Sequence, residues 1–381
     1  MARRRTPIPN DQRDVIKELL VAGGSPEPDT LEIIEILRRR GNVVLYGPPG
    51  TGKTYRALQV RNHWEQTNGA DSVFAVTFHP SYSYEDFVQG FRPKAEEPSE
   101  FELTDGILLG ACERAQELAD GSPDGQEPPK VLLLIDEINR GDVARIFGEL
   151  ITYIEFDKRG EPFFLSQDPQ EARAIPPNVY FLGTMNTADK SISLLDVALR
   201  RRFAFVEFPP NGDAFVEVDG WADVVGDVQL GQLLEALNAR LLVEGIEWDR
   251  SIGHALLSVD NDSDDAPRDL RQRLEFDIYP LVAEYCYLDP ARLGRVLPGL
   301  VDLNGRFMAG LTNEELVQAL VAIQEGPDRA PVEAEDLDGD APEPAEEGSD
   351  ANRRLSERDP VRRCPSPGEG RRSRERRGCD A

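Results

Sequence analysis

Apolar positions follow two different rhythms along this chain, and the change of rhythm divides it. From residue 42, short unbroken apolar runs recur at 43–46, 73–78, 131–135, 179–185 and 203–208. Each has the length of a strand. A strand apolar on both faces belongs inside a sheet covered on both sides. Stretches with helical spacing lie between them, near 53–66, 105–119, 141–154 and 194–201. Strands that alternate with helices predict an α/β fold built on a parallel sheet. Residues 94–100 (Pro/Glu-rich) and 120–130 (Gly/Pro-rich) read as loops, and 155–165 as a β-hairpin turning at Arg159-Gly160.

The rhythm changes after a connection at 210–227. Leu230, Leu233, Leu234, Leu237 and Leu241 share one helical face, and further helices are predicted at 274–288 and 313–324. This is a second, smaller all-α domain. At the other end, Val15, Ile16, Leu19 and Leu20 give a helix over 11–21. Asp29 caps a second helix that carries Leu31, Ile34 and Leu37 and ends at Gly41. The expected division is therefore 1–41 (short helices and linker), 42–210 (α/β core), 211–326 (helical lid) and 327–381 (tail). The tail holds ten acids and one Arg over 327–350, then ten Arg and five acids over 351–381, a composition that predicts disorder.

Charge and composition narrow the function classes. The net charge of −27 gives no bulk attraction to DNA or to anionic membranes. No apolar run approaches the roughly 18 residues of a membrane span. Arg3-Arg4-Arg5 leads into a polar stretch and not an apolar signal core, so a cytoplasmic location is expected. The four cysteines, Cys112, Cys286, Cys364 and Cys379, form no C-x-x-C pair, which argues against zinc and against a disulfide framework.

Chemistry enters where the first apolar run ends. Val43-Val44-Leu45-Tyr46 is followed by Gly47-Pro48-Pro49-Gly50-Thr51-Gly52-Lys53-Thr54, then Tyr55. This is G-x-x-x-x-G-K-T in the strand–loop–helix context that a phosphate cradle needs. Glycines let backbone N–H groups close around a β-phosphate. Lys53 supplies a point charge to the β- and γ-phosphates, and Thr54 a hydroxyl for Mg²⁺. About 80 residues later, Val131-Leu132-Leu133-Leu134-Ile135 ends in Asp136-Glu137. Asp136 is placed to hold Mg²⁺ through water, and Glu137 to act as general base on the attacking water. A third buried strand, Phe181-Leu182-Gly183-Thr184-Met185, ends in Asn186, with Asp189 close behind. If that strand lies between the other two, Asn186 directs its amide at the γ-phosphate, and Asp189 orders that amide or a neighbouring arginine. A short helix then ends in Arg200-Arg201-Arg202 before the last strand. A guanidinium from this group, reaching a neighbour's γ-phosphate, would stabilise transition-state charge. Spacing does not say which arginine does so.

These motifs together resemble an AAA+ module, a P-loop NTPase with a parallel αβα core and a helical lid. The finer resemblance is to the McrB-like branch, the NTPase motor subunit of modification-dependent restriction. It rests on Phe78-His79-Pro80-Ser81-Tyr82-Ser83-Tyr84-Glu85-Asp86-Phe87, Asp136-Glu137-Ile138-Asn139-Arg140, Glu155-Phe156-Asp157-Lys158-Arg159-Gly160, Gly183-Thr184-Met185-Asn186-Thr187-Ala188-Asp189-Lys190-Ser191 and Ala198-Leu199-Arg200-Arg201-Arg202-Phe203. The resemblance implies that Asn186 is the sensor, that Arg201 or Arg202 is a finger acting in trans, and that Arg140 lies at a subunit interface. It implies ATP or GTP as substrate with Mg²⁺, a homo-oligomer (a hexameric ring), an McrC-like nuclease subunit as partner, and DNA reached through that partner or the complex. Ile252-Gly253-His254 resembles the family's lid segment, although Ala255-Leu256-Leu257 departs from the serine and aromatics expected there. His254 reads equally as a packing histidine.

Only about 40 residues precede the core, too few for a separate DNA-reading domain, and no nuclease constellation is visible. The expected function is an NTPase motor of an McrBC-like restriction complex. A MoxR-like ATPase that remodels protein partners and a nucleotide-binding scaffold stand as alternatives. The aromatic stretch Phe78–Phe91 reads either as a pore or interface element or as a locally packed loop.

Overall fold

The computed structural model describes residues 28–94, 99–188 and 197–325. The helix expected at 11–21, Asp189 and the tail 327–381 lie outside the described residues. Five strands form the central sheet: β1 (Asn42–Gly47), β2 (Val73–Thr77), β3 (Val131–Asp136), β4 (Val179–Asn186) and β5 (Ala204–Glu207). They pair in the order β2-β3-β4-β1-β5, with every pair parallel. All five match the apolar runs of the sequence to within a residue or two.

The period of two within these runs sorts their side chains into two cores. Val43, Leu45, Leu132, Leu134, Tyr180 and Leu182 face one side. They pack on helix α1 (Pro28–Arg40) through Ile33, Ile34 and Leu37, and on α2 (Lys53–Asn68) through Ala57, Val60 and Trp64. Val44, Val131, Leu133, Ile135, Val179 and Phe181 face the other side. There they meet α3 (Ile107–Asp120) through Leu108, Leu109, Ala111 and Ala115. A third core belongs to the helical part. Leu230, Leu233, Leu234, Leu237 and Leu241 of α4 (Leu230–Val243) pack with Leu316, Leu320 and Ile323 of α5 (Asn313–Gln324). The described residues all belong to one compact unit. Among them, no helix is long and apolar enough to cross a membrane.

Three local expectations are corrected. The helix expected over 141–154 is only Val143–Phe147, followed by a 3₁₀ turn at Gly148–Ile151. Gly148 takes φ 51° with the Tyr84 ring packed over it, and that left-handed residue stops the helix. The hairpin does not turn at Arg159-Gly160. It pairs Phe163–Leu165 with Asp168–Arg173. Arg159 instead points inward, donating to Asn42 Oδ1 at 2.6 Å, so 154–160 wraps the sheet before the hairpin begins. The helix expected over 274–288 is a π-turn (Arg273–Ile278) running into Tyr279–Tyr285. Within the aromatic stretch, Phe78 and Phe87 are fully buried, with Tyr82 stacked on Phe78 and Phe147 against Phe87, while Phe91 is exposed.

Leu182 lies at the centre of the sheet with no exposed surface. Its truncation to alanine should cost about 2–5 kcal/mol. Chemical denaturation should show a lower midpoint with an unchanged slope, and a loss below about 1 kcal/mol would contradict this packing.

Candidate active site

A parallel sheet brings the carboxyl ends of its strands to one edge, and ligands bind outside that edge. Here the register sets Gly47 opposite Asn186 across β1 and β4, and Ile135 opposite Gly183 across β3 and β4. The phosphate loop, the two acids and the asparagine thus meet because β4 separates β1 from β3. This is the order on which the reading of Asn186 depends.

The loop is shaped for close approach. Gly50 and Gly52 take φ 75° and 81°, the left-handed region that glycine occupies without strain. A Cβ on Gly47 would sit 2.2 Å from Phe208 O. Gly52 caps α2 and has no side chain to satisfy the first-turn N–H groups, which leaves them for an anion. Lys53 is buried, and its Nζ donates to Pro48 O (2.6 Å), Gly47 O (3.0 Å) and Thr51 Oγ1 (3.4 Å). Thr51 Oγ1 also donates to Pro48 O at 2.9 Å. Burial pulls the Lys53 ammonium down to about 8, against the opposing pull of Glu137 and Asp136. Thr54 and Tyr55 stand exposed at the first turn of α2.

Asp136 and Glu137 are held by a residue that the sequence reading passed over. Thr184 Oγ1 donates to Asp136 Oδ1 at 2.5 Å and accepts from Glu137 N–H at 3.1 Å. One hydroxyl thus fixes both acids. The available signal was a threonine inside an otherwise apolar strand. Glu137 itself adopts φ 54°, ψ 48°, a left-handed conformation that costs a non-glycine residue roughly 1–2 kcal/mol. Such strain collects at functional positions. Asn186 Nδ2 donates to Glu137 Oε1 at 2.6 Å, and Arg140 Nε lies 3.6 Å from Glu137 Oε2. Arg140, implied by resemblance to sit at an interface, therefore also reaches the acid of its own chain. Asn139 Nδ2 donates to Asn186 O at 3.0 Å and so steadies the end of β4.

The helical part closes over the loop. Gly253 N–H donates to Pro49 O (3.1 Å) and Ala255 N–H to Gly50 O (2.9 Å). A Cβ on Gly253 would lie 2.2 Å from the Gly50 carbonyl carbon, so only glycine allows this approach. Asn238 fixes the segment from the far side, donating to Ile252 O and accepting from Ile252 N–H. His254 accepts at Nδ1 from Asn211 N–H at 3.3 Å, which leaves the proton of the neutral ring on Nε2, on the side of Gly52. Burial first, and then the charge of Lys53, lower His254 to about 4. The ring faces the phosphate loop and is neutral at physiological pH.

The backbone of the arginine turn lies at the opposite edge, although the Arg200 charge is felt at Tyr46, the residue before Gly47. Arg202 lies two residues before β5, whose Ala204 pairs with Val43 near the start of β1. Six residues of β1 at about 3.3 Å each put this turn ~16 Å or more from the phosphate loop of the same chain. Arg202 is tied within its own chain to Glu155 Oε1 at 2.8 Å, whereas Arg200 and Arg201 are exposed. Of the two arginines that the resemblance offers for action in trans, Arg202 is thus engaged within its own chain and Arg201 is exposed.

Among the described residues, no group of three or more His, Cys, Asp or Glu side chains gathers to hold a metal. A cation at Thr54 and Asp136 would take its other ligands from phosphate oxygens and water. That suits Mg²⁺, a small cation that keeps several waters.

Comparison with known proteins agrees with this geometry. A model of the AAA domain (dynein-related subfamily) matches residues 42–203, and one of the McrB alpha-helical lid domain matches 229–294. The chain is 34% identical over 290 residues to the type IV methyl-directed restriction enzyme EcoKMcrB subunit of Escherichia coli (strain K12), covering 73% of this chain and 60% of that one. This chain belongs to the McrB-like AAA+ family. It is also 28% identical over 198 residues to the type II restriction enzyme BsuMI component YdiS of Bacillus subtilis (strain 168), covering 43% and 56% of the two chains. The chain thus spans about three-fifths of the length of these McrB-like and restriction-component relatives.

Two outcomes are expected at this site. Bound phosphate raises the Lys53 pKa, so binding takes up a proton once the pH exceeds the unliganded value of about 8. Nucleotide affinity, measured by fluorescence titration, should hold steady below pH 8 and weaken as pH rises above it; a flat profile to pH 10 would contradict this. Thr184→Val should reduce hydrolysis by about tenfold or more, the scale of a lost charge-assisted hydrogen bond in the transition state, while metal-free nucleotide binding persists. An unchanged turnover would remove Thr184 from the site.

Proposed function

We propose that this chain is a nucleoside-triphosphatase that hydrolyses ATP or GTP with Mg²⁺ and works as the motor of an McrBC-like restriction complex. Lys53 and the first-turn N–H groups of α2 hold the β- and γ-phosphates. Thr54, and Asp136 through water, would hold Mg²⁺, which when bound would neutralise charge on the phosphates. Glu137 takes the proton of the attacking water, and Asn186 keeps Glu137 and that water in register. Arg201 serves the nucleotide of a neighbouring copy, which makes the working form a homo-oligomer, in our reading a hexameric ring. Asp189, outside the described residues, keeps its proposed role of ordering the groups near Asn186.

The observation that carries this reading is the separation within one chain. The phosphate loop and both acids lie at the carboxyl edge of the sheet, and the exposed arginine lies at its amino edge. A single chain therefore holds both halves of a site but does not close one. The nuclease is a separate McrC-like subunit, and DNA is engaged through that subunit or the complex; the restriction-system names of both relatives support this. The lid match favours this reading over a protein-remodelling ATPase. We further place the protein in the cytoplasm, where a restriction component meets DNA.

Glu137→Gln should bind ATP or GTP with wild-type affinity and lose at least about a hundredfold of its turnover, as expected on removing a general base. Phosphate release assays with both nucleotides, run with and without the candidate nuclease, measure this and identify the preferred base. Retained turnover would exclude Glu137 as the base.

A further inference from the structure

The charged side chain buried most deeply away from the phosphate loop has no part in the chemistry described so far. Arg159 is 9% exposed. Its guanidinium donates to Ile154 O (3.3 Å from Nε, 3.2 Å from Nη2), to Val179 O from Nη1, and to Asn42 Oδ1 (2.6 Å). It lies over the Phe181 ring, 5.1 Å from its centroid, with Phe156 at 5.7 Å. All of these acceptors are neutral. Burial lowers the group only to about 10, so it stays charged at neutral pH. Keeping a charge inside without a carboxylate costs several kcal/mol, so what it holds in place is informative.

It holds Asn42. With Oδ1 engaged by Arg159, the Asn42 amide has one orientation. Its Nδ2 then donates to Ile154 O and to Arg202 O, each at 2.8 Å. The neighbouring Glu155 pairs with the Arg202 guanidinium at 2.8 Å. Arg202 is thus gripped twice, at its carbonyl by Asn42 and at its side chain by Glu155. Arg202 N–H and Phe203 N–H both return to Leu199 O, closing the turn that carries Arg201.

We propose that Arg159, Asn42 and Glu155 are positioning residues that fix the Arg200–Arg202 turn, so that Arg201 presents its guanidinium to the nucleotide bound by a second copy of the chain. This rests on the reading that Arg201 acts in trans. Arg159 touches no substrate. It acts through Asn42 on the backbone beside Arg201, and Glu155 acts on the adjacent side chain. A displacement of about 1 Å at a group that stabilises transition-state charge is enough to cost on the order of a hundredfold in rate.

The test uses the whole 381-residue chain and mixes variants. Glu155→Ala, at a partly exposed position, is the variant expected to fold; Arg159→Met probes the buried group directly. Each is assayed alone, then mixed with Glu137→Gln. Arg201→Ala mixed with Glu137→Gln runs beside them as the control for action in trans. Glu155→Ala and Arg159→Met should keep wild-type nucleotide affinity, lose at least about tenfold in turnover alone, and regain activity on mixing. In the mixture their intact Lys53 and Glu137 meet the well-placed Arg201 of a Glu137→Gln neighbour. Should Arg201→Ala recover on mixing while Glu155→Ala either keeps full activity or stays inactive, the positioning role is overturned and the trans reading survives. If Arg201→Ala itself does not recover at any ratio, the trans reading fails and takes this inference with it. If Arg159→Met does not fold, as its thermal melt would reveal, the outcome for Glu155→Ala decides.

Discussion

The direction of the strands governs everything else in this molecule. In a sheet whose strands all run the same way, every carboxyl end lies on one edge and every amino end on the other. With β4 seated between β1 and β3, Gly47, Asp136 and Asn186 fall side by side without any long-range adjustment. The same constraint sends the arginine turn to the opposite edge, a full strand length away. This separation is what supports the proposed division of the site between two chains. The apolar runs that make the strands also make the separation.

Two buried cations tune the two edges. At the carboxyl edge Lys53 rests on the carbonyls of its own loop with a lowered pKa, and the lid lays Gly253 and His254 against the same loop. The neutral His254 ring adds no positive charge beside Lys53. The pair of backbone bonds at Pro49 and Gly50 ties the helical part to the phosphate cradle. At the amino edge Arg159 sits among neutral carbonyls and an amide. One cation is kept available for phosphate, and the other is consumed by structure.

Much of this was legible in the residues. The five strands, the loop and the order of the acids followed from apolar runs ending in polar clusters, because a strand covered on both faces is predominantly apolar. The less legible features depend on long-range partners. Arg159-Gly160 had the composition of a hairpin turn, but Asn42, over a hundred residues away, draws Arg159 inward and pushes the hairpin downstream. Gly148 ends a helix at a positive φ, with the distant Tyr84 ring lying close to where a Cβ would sit. Thr184 looked like strand filler until the pairing of β3 with β4 brought both acids to its hydroxyl. The engagement of Arg202 by Glu155 was likewise hidden, because no local spacing links Glu155 to the arginines.

The central claim is that a complete hydrolytic site requires two copies of the chain. Turnover per chain as a function of chain concentration, at saturating nucleotide and Mg²⁺, tests it most directly. The account predicts that the rate per chain rises steeply with concentration and levels off as mass measurements show the assembly filling. A rate per chain that stays constant down to concentrations where only monomer is present would contradict it.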